Sequence, residues 1–298
     1  MEKEFDVVGI GSALLDITYN VNEEALKELS LKKGEMRLIE EDESGDIMQK
    51  LNSQKPFITP GGSCSNTIAG ISCFGGKTAF LGKIGNDSNG DLYEIKTKEF
   101  NVFPLLSRHK EKITGHAITF ITPDGQRTFA THLGASAHFD KQDISEKIIK
   151  NAKILHLEGY QLENPFLREL LLEAVALAKK HNVKISLDFS DASLILRNRY
   201  FFKKFLQNVD IIFANEDEAR SFTGKHPEDA LHELSDYTKI AIVKLGERGS
   251  LIKYDKIYKI DAEKVNVVNT NGAGDMYAAG ILYGFLNGFD FSHTGKLA

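Results

Sequence analysis

The sequence predicts an α/β protein, a doubly wound and mostly parallel sheet flanked by helices, with a small added β layer. Three observations carry that expectation. Short apolar runs recur along the chain with helix-like stretches between them. The runs are apolar on both faces, as strands covered by helices on either side must be. Two stretches then break the alternation and read as extra strands.

The runs are FDVVGIG at the start, TAFLGKIG around Leu81, AKILHLEG around Leu155, VKISLDF around Ile185, VDIIFAN around Ile212 and KIAIVKLG around Val243. Between the third and fourth lies the clearest helix, in which Leu167, Leu170, Leu171, Ala174, Leu177 and Ala178 repeat at helical spacing. It opens at Asn164-Pro165, a cap and first-turn proline, and stops near Asn182. The interruptions are roughly residues 19–41 and 112–135. Within the second, GHAITFITPDGQRTFATHL reads as two strands around a Pro-Asp-Gly turn. Strands inserted on an α/β body are expected to form a lid. No linker, repeat or low-complexity segment interrupts the chain, so one main domain over residues 1–298 is expected.

A chain of 298 residues with 42% hydrophobic content can bury a full core. The net charge of -5 gives no broad cationic field, which argues against nucleic acid as a partner and for a small molecule. No apolar run reaches membrane-span length, and the start MEKEFDVVGIGSALLD carries acids where a secretory leader needs positive charge, so a cytoplasmic protein without membrane partners is expected. Cys64 and Cys73 have no partner pattern and are expected as buried, reduced thiols. None of the nine histidines has metal-ligand spacing.

The most informative stretch is VVNTNGAGDMYAAGILYGFLNG, residues 267–288. From Asp275 onward Ala278, Leu282 and Phe285 share one helical face, and Asn287-Gly288 is a stop. Gly272, Ala273 and Gly274 therefore open a helix. Small residues there let backbone N–H groups approach a phosphate, and the helix dipole favours the charge on a transferring phosphoryl group. Asp275, in the first turn, could take a proton from an incoming hydroxyl. The competing reading is a tight turn whose acid only complements the helix dipole.

NTNGAGDMYAAG resembles the second signature of the ribokinase (PfkB) family, and PGGSCSNTIAGISCFGGKTAFLGKIGNDSNG, residues 60–90, resembles the first. The likeness runs from Val8 to the last residue, and it implies an ATP-dependent small-molecule kinase using Mg²⁺. By it Asp16, near the end of the first strand, and Gly61, Gly62 and Asn66 hold the acceptor; taken alone, Asp16 reads as a strand-end acid in solvent and Asn66 equally as a helix cap. Asn215 and Glu218 organise the magnesium and phosphate region, Glu218 through water; an acidic helix start is the plainer reading of the same residues. Lys244, Gly246, Gly249 and Thr270 approach the nucleotide, though Lys244 also reads as a strand-end cation. Arg127, in the turn of the inserted lid, matches an arginine that swings toward the transferring phosphate; alternatively it is an exposed turn residue.

Within the family the chain resembles the adenosine-kinase branch through Gly61 to Thr67, THLGAS at 131–136 and LEGYQL at 157–162. There Tyr160 would stack on a nucleobase, or serve as a core tyrosine. The resemblance thus implies phosphorylation of adenosine to AMP, with a ribose or fructose kinase and a non-catalytic nucleoside-binding protein as alternatives. Monomer and homodimer both remain open. Asn269 departs from the family's acid at that position, so monovalent-cation activation is not implied. Relatives continue beyond Ala298, so a truncated chain that stops in the opening turn of a helix, with a less complete nucleotide site and uncovered apolar surface, is also expected. Gly9-Ile10-Gly11 hints at a dinucleotide fingerprint, but Leu14 stands where its third glycine belongs.

Overall fold

In the computed structural model, residues 3–265, 270 and 272–298 are described. The strands in chain order are β1 (Phe5–Ile10), β2 (Leu14–Asn20), β3 (Met36–Leu38), β4 (Phe57–Gly61), β5 (Thr78–Gly85), β6 (Phe103–His109) and β7 (Gly115–Ile121). They continue as β8 (Arg127–His132), β9 (Ala152–Glu158), β10 (Lys184–Asp188), β11 (Ile211–Asn215), β12 (Ile240–Lys244), β13 (Ser250–Lys253) and β14 (Ile257–Ile260). The helices are α1 (Glu23–Glu28), α2 (Glu41–Lys50), α3 (Ser63–Cys73), α4 (Ser88–Glu99), α5 (Glu146–Ile149) and α6 (Pro165–Lys180). After them come α7 (Ala192–Phe205), α8 (Glu216–Thr223), α9 (Pro227–Ser235), α10 (Ala273–Leu286) and α11 (Phe291–Leu297).

Among the described residues one sheet runs in the order β14-β13-β12-β11-β10-β9-β1-β5-β6. It is parallel from β12 through β6, and an antiparallel hairpin, β13 and β14, ends it. All six strand-like runs of the sequence fall in its parallel part. Successive residues of a strand point to opposite faces, and the two cores divide accordingly. Val8, Ile10, Leu155 and Leu157 pack with Leu170 and Leu171 of α6 and Phe202 of α7. Val7, Ile154, Ile211 and Phe213 pack instead with Ile68 and Ile71 of α3 and Leu282 of α10. Helix α6 starts as its sequence requires, with the Asn164 side chain accepting from Phe166 N–H and Pro165 in the first turn.

A second sheet has the order β3-β8-β7-β2-β4. Its β7–β8 hairpin is the one expected around Pro123-Asp124-Gly125, but β2 and β4 were not separated from their flanks in the sequence. Asp16 is the residue this moves. Expected near the end of the first strand, it lies within β2, opposite Thr59 and Ala117. The main-sheet strand stops at Ile10, and Gly11-Ser12-Ala13 carries the chain across to the second sheet. Helices α1 and α2 supply Leu26 and Ile47 to the apolar layer that also holds Leu15, Ile17, Ile118 and Phe120 of this sheet.

Two smaller expectations are corrected. Cys64 is buried but Cys73 is exposed, because it closes α3 on the side away from the sheet core. The last residues form the seven-residue α11 rather than only an opening turn, capped by Asp290, with Phe291 packed against Tyr254, Tyr258 and Phe285. The Val267-Val268 run and Asn269 lie outside the described residues. Among those described, no helix is long and apolar enough to cross a membrane.

Candidate active site

Strand order reverses direction at β1, which has β9 on one side and β5 on the other. In an open parallel sheet that reversal leaves a crevice beyond the carboxyl ends of the strands. A cavity of about 720 Å³ lies there. Glu158 at the end of β9, Asp188 at the end of β10, Asn215 at the end of β11 and Lys244 at the end of β12 all line it. The second sheet adds Leu14, Asp16, Met36, Leu38, Ala117, Phe129 and Thr131 to the lining, and Tyr160 joins them from the turn after β9. The amino end of α10 supplies Gly272, Gly274 and Asp275.

Helix α10 is held by α3. The two approach closely because Gly70 carries no side chain: a Cβ there would stand 2.7 Å from the Ala279 methyl. That approach brings three α3 hydroxyl and amide groups to Asp275. Ser63 Oγ donates to Oδ1 at 2.8 Å, Asn66 Nδ2 donates to Oδ2 at 2.9 Å, and Thr67 Oγ1 donates to the Asp275 carbonyl at 3.3 Å. Burial pushes the Asp275 carboxyl up to about 7; the Asp188 charge adds to the rise, while the Asn66 and Ser63 bonds and Lys244 oppose it. An acid so placed is divided between its two protonation states near neutral pH, as a general base in this range should be. Gly272 is the residue before the helix, with φ of 73°, and the intrahelical ladder begins at the Met276 N–H. Gly274 and Asp275 therefore lie in the first turn, where N–H groups have no intrahelical acceptor.

Lys244 Nζ donates to Asp188 Oδ2 at 2.8 Å and would stand 3.0 Å from a Cβ on Gly274. It is thus paired as a strand-end cation and also adjacent to the helix tip. Burial works against its charge, but the Asp188 and Glu218 carboxylates outweigh burial and hold its pKa high. Glu218 is raised by burial and by Asp188. Its carboxylate accepts from the Asn215 N–H at 2.7 Å and from Asn215 Nδ2 at 2.8 Å, while Asn215 Oδ1 accepts from the Glu218 N–H. The acidic helix start and the cavity-lining acid are therefore the same residue in two jobs. With both oxygens occupied, and with no cluster of three metal-binding side chains among the described residues, this set fits a magnesium ion held through water rather than by direct chelation.

Of the residues singled out in the sequence, the structure gathers Asp16, Gly62, Asn66, Tyr160, Asn215, Glu218, Lys244, Gly272, Gly274 and Asp275 around the cavity. Gly61, Ala273, Arg127, Gly246, Gly249 and Thr270 are not part of its lining. Gly61 backs Asp16: a Cβ would fall 2.5 Å from that carboxylate. The Ala273 N–H is bonded to the Thr270 carbonyl, so both residues shape the approach to α10. Arg127 sits at the start of β8 within the field of Asp16, whose charge supports the guanidinium against burial. Tyr160 is 40% exposed and so is a cavity-wall residue rather than a core one.

Gly246 and Gly249 form the tight turn between β12 and β13. Gly249 has φ of 84°, and a Cβ would lie 1.8 Å from the Ile260 carbonyl oxygen. Gly249→Ala is accordingly expected to lose about 3 kcal/mol of stability in urea unfolding. A loss below about 1 kcal/mol would show that the turn relaxes freely.

Ser63, Glu158, Asp188 and Gln161 also line the cavity, with no role assigned to them in the sequence. Glu158 and Asp188 did leave a signal, since each is an acid closing a buried parallel strand in LHLEG and SLDFS. Glu158 accepts the N–H groups of Ser12 at 2.8 Å and Cys64 at 2.9 Å, tying the start of α3 to the crossing between the sheets. Burial raises its pKa against those two bonds. Gln161 is 2% exposed, with neither end of its amide hydrogen-bonded.

Residues 33–298 match the pfkB family carbohydrate kinases. The chain belongs to the PfkB family. It is therefore a phosphotransferase acting on an alcohol group, with ATP as donor and a small molecule as acceptor. The structure is similar to that of a probable sugar kinase from Rhizobium etli, with TM-score 0.92 and 31% identity over 99% of this chain and 91% of that one. It is equally similar to adenosine kinase from Sinorhizobium meliloti, with TM-score 0.91 and 30% identity over the same shares. Among curated proteins, 5-dehydro-2-deoxygluconokinase of Bacillus subtilis is 27% identical across 99% of this chain and 88% of the relative.

Proposed function

We propose that this PfkB kinase phosphorylates the primary hydroxyl of a ribonucleoside, with adenosine giving AMP. One observation carries the choice of acceptor. Leu14, Met36, Leu38, Phe129 and Leu133 give the cavity an apolar share of its lining, and the Tyr160 ring and the Asp16 carboxylate line the same cavity. A nucleoside divides in the same way, with a flat ring to lay against apolar surface and vicinal hydroxyls to pair with an acid. A free hexose carries hydroxyls all round and would leave several of them against Met36, Leu38 and Phe129 without partners.

In this reading Asp16 and Gly62 receive the ribose, and Asn66 bridges ribose and base. Asp275 takes the proton from the acceptor hydroxyl, whose oxygen attacks the γ-phosphorus of ATP as the bond to ADP breaks. The first-turn N–H groups of α10 and the Lys244 ammonium face the charge that develops on the transferred group. Asn215 and Glu218 hold the phosphate side of the cavity, where Glu218 would hold magnesium through water; the ion, when bound, would neutralise charge on the phosphates. Arg127 meets that charge only if the second sheet closes as a lid, which would also exclude water.

The second reading is a sugar or sugar-acid kinase, favoured by the names of the Rhizobium and Bacillus relatives. A panel of nucleosides, ribose, fructose and 5-dehydro-2-deoxygluconate with ATP separates the two. Adenosine is expected to exceed every sugar at least tenfold in kcat/KM, a margin of about 1.4 kcal/mol. Efficient phosphorylation of a sugar with none of adenosine would reverse the assignment.

A further inference from the structure

We propose that Ser63 is the positioning residue of the catalytic base, pinning Oδ1 of Asp275 so that Oδ2 is the oxygen that receives the acceptor's proton. The inference deepens the reading of Asp275 as base and rests on it. Its ground is the different setting of the two carboxylate oxygens. Oδ1 accepts from Ser63 Oγ at 2.8 Å, the hydroxyl of the first residue of α3. Oδ2 lies toward the helix tip, 3.8 Å from where a Cβ on Gly272 would stand, and Asn66 Nδ2 reaches it at 2.9 Å. Of the two oxygens, Oδ2 is the one beside the glycine at the helix tip.

Ser63 can do this because its own position is fixed from two sides. It is the first residue of α3, directly after Gly62, whose φ of 94° turns the chain into the helix. The next residue, Cys64, gives its N–H to the buried Glu158 carboxylate. A hydroxyl on so constrained a backbone holds a carboxylate in one rotamer with little loss of entropy.

The bond also favours the charged form of Asp275, against burial and the Asp188 charge, and alongside Asn66 and Lys244; the Cys64 thiol, also on α3, is buried and its pKa is raised well above normal. Removing the donor should thus move the acid limb of kcat upward by about one pH unit. In Ser63→Ala, kcat at pH 6 is expected to fall about tenfold, recover to within about threefold at pH 9, and leave the acceptor KM within about twofold. Ser63→Thr keeps the hydroxyl and should keep the limb; Ser63→Cys, a weak donor, should fall between.

The limb is paired with a readout that does not need turnover, the titration of the Asp275 carboxyl carbon by NMR, assigned with Asp275→Asn. An upward shift in Ser63→Ala supports the pin. An unmoved limb and unmoved titration overturn it, as does a raised KM with the limb in place, which would make Ser63 an acceptor contact. If Ser63→Ala does not fold, an unmoved titration in Ser63→Cys overturns it equally. Retained turnover in Asp275→Asn would remove the base assignment, and the NMR titration would still decide whether Ser63 sets this carboxyl.

Discussion

Asp275→Asn is expected to lower kcat by about 10³-fold while leaving the fold intact. The substitution preserves shape, so α10 keeps its packing on α3 and the acceptor KM should change little. What is lost is the site that takes the proton. The effect on stability runs the opposite way. Folding raises the Asp275 pKa from 3.8 to about 7, so the folded state holds this proton more tightly than the unfolded chain. Whatever stability this group contributes is fully present below about pH 4 and is lost as pH rises through about 7. The asparagine variant escapes that loss, and should melt above the wild type at pH 8 with the gap closing toward pH 4. Turnover within tenfold of wild type would remove Asp275 from the chemistry; a variant less stable at pH 8 would contradict the buried carboxylate.

Lys244→Met is the substitution with the largest expected cost to the fold. The Lys244 and Asp188 side chains are 16% and 6% exposed, and their pairing is the ion pair at the carboxyl ends of the central strands. Removing the cation leaves Asp188 with the Ser190 N–H as a remaining donor, near the buried acids Glu218 and Asp275. Breaking such a pair from one side costs about 3 kcal/mol or more, because a charge stays buried without its partner. Urea unfolding should show a loss of that order, and Lys244→Met with Asp188→Asn should recover part of it. Activity should fall as well, since the ammonium lies beside Gly274 at the helix tip. A stability loss under about 1 kcal/mol would mean that water already screens the pair.

The parallel strands were legible because burial on both faces leaves an unmistakable apolar run, and α6 was legible because Asn164, Pro165 and the leucine spacing agree. The tip of α10 was legible for a similar reason: glycines, an acid and an apolar helical face follow one another in sequence. The second sheet was less so. Its β2 follows β1 after only Gly11-Ser12-Ala13, and nothing local says that the chain changes sheets there, which is why Asp16 was assigned to the wrong strand. The network around Asp275 joins positions more than two hundred residues apart, and the small side chain of Ser63 gives no local hint of its partner. Arg127 shows the converse. The Pro-Asp-Gly turn before it was readable, but Arg127 itself opens β8, half-buried, and its place near Asp16 and outside the cavity lining depends on how the strands of the second sheet lie together.

The central claim is that the Asp275 carboxylate meets the acceptor's reacting hydroxyl at the tip of α10. The most direct measurement is a crystal structure of the protein with adenosine and a non-hydrolysable ATP analogue. It should place the ribose primary hydroxyl about 2.6–3.2 Å from Asp275 Oδ2, with the γ-phosphate on the other side of that hydroxyl. A nucleoside bound with that hydroxyl turned away from α10, or a phosphate lodged where Asp275 cannot reach the acceptor, would contradict it.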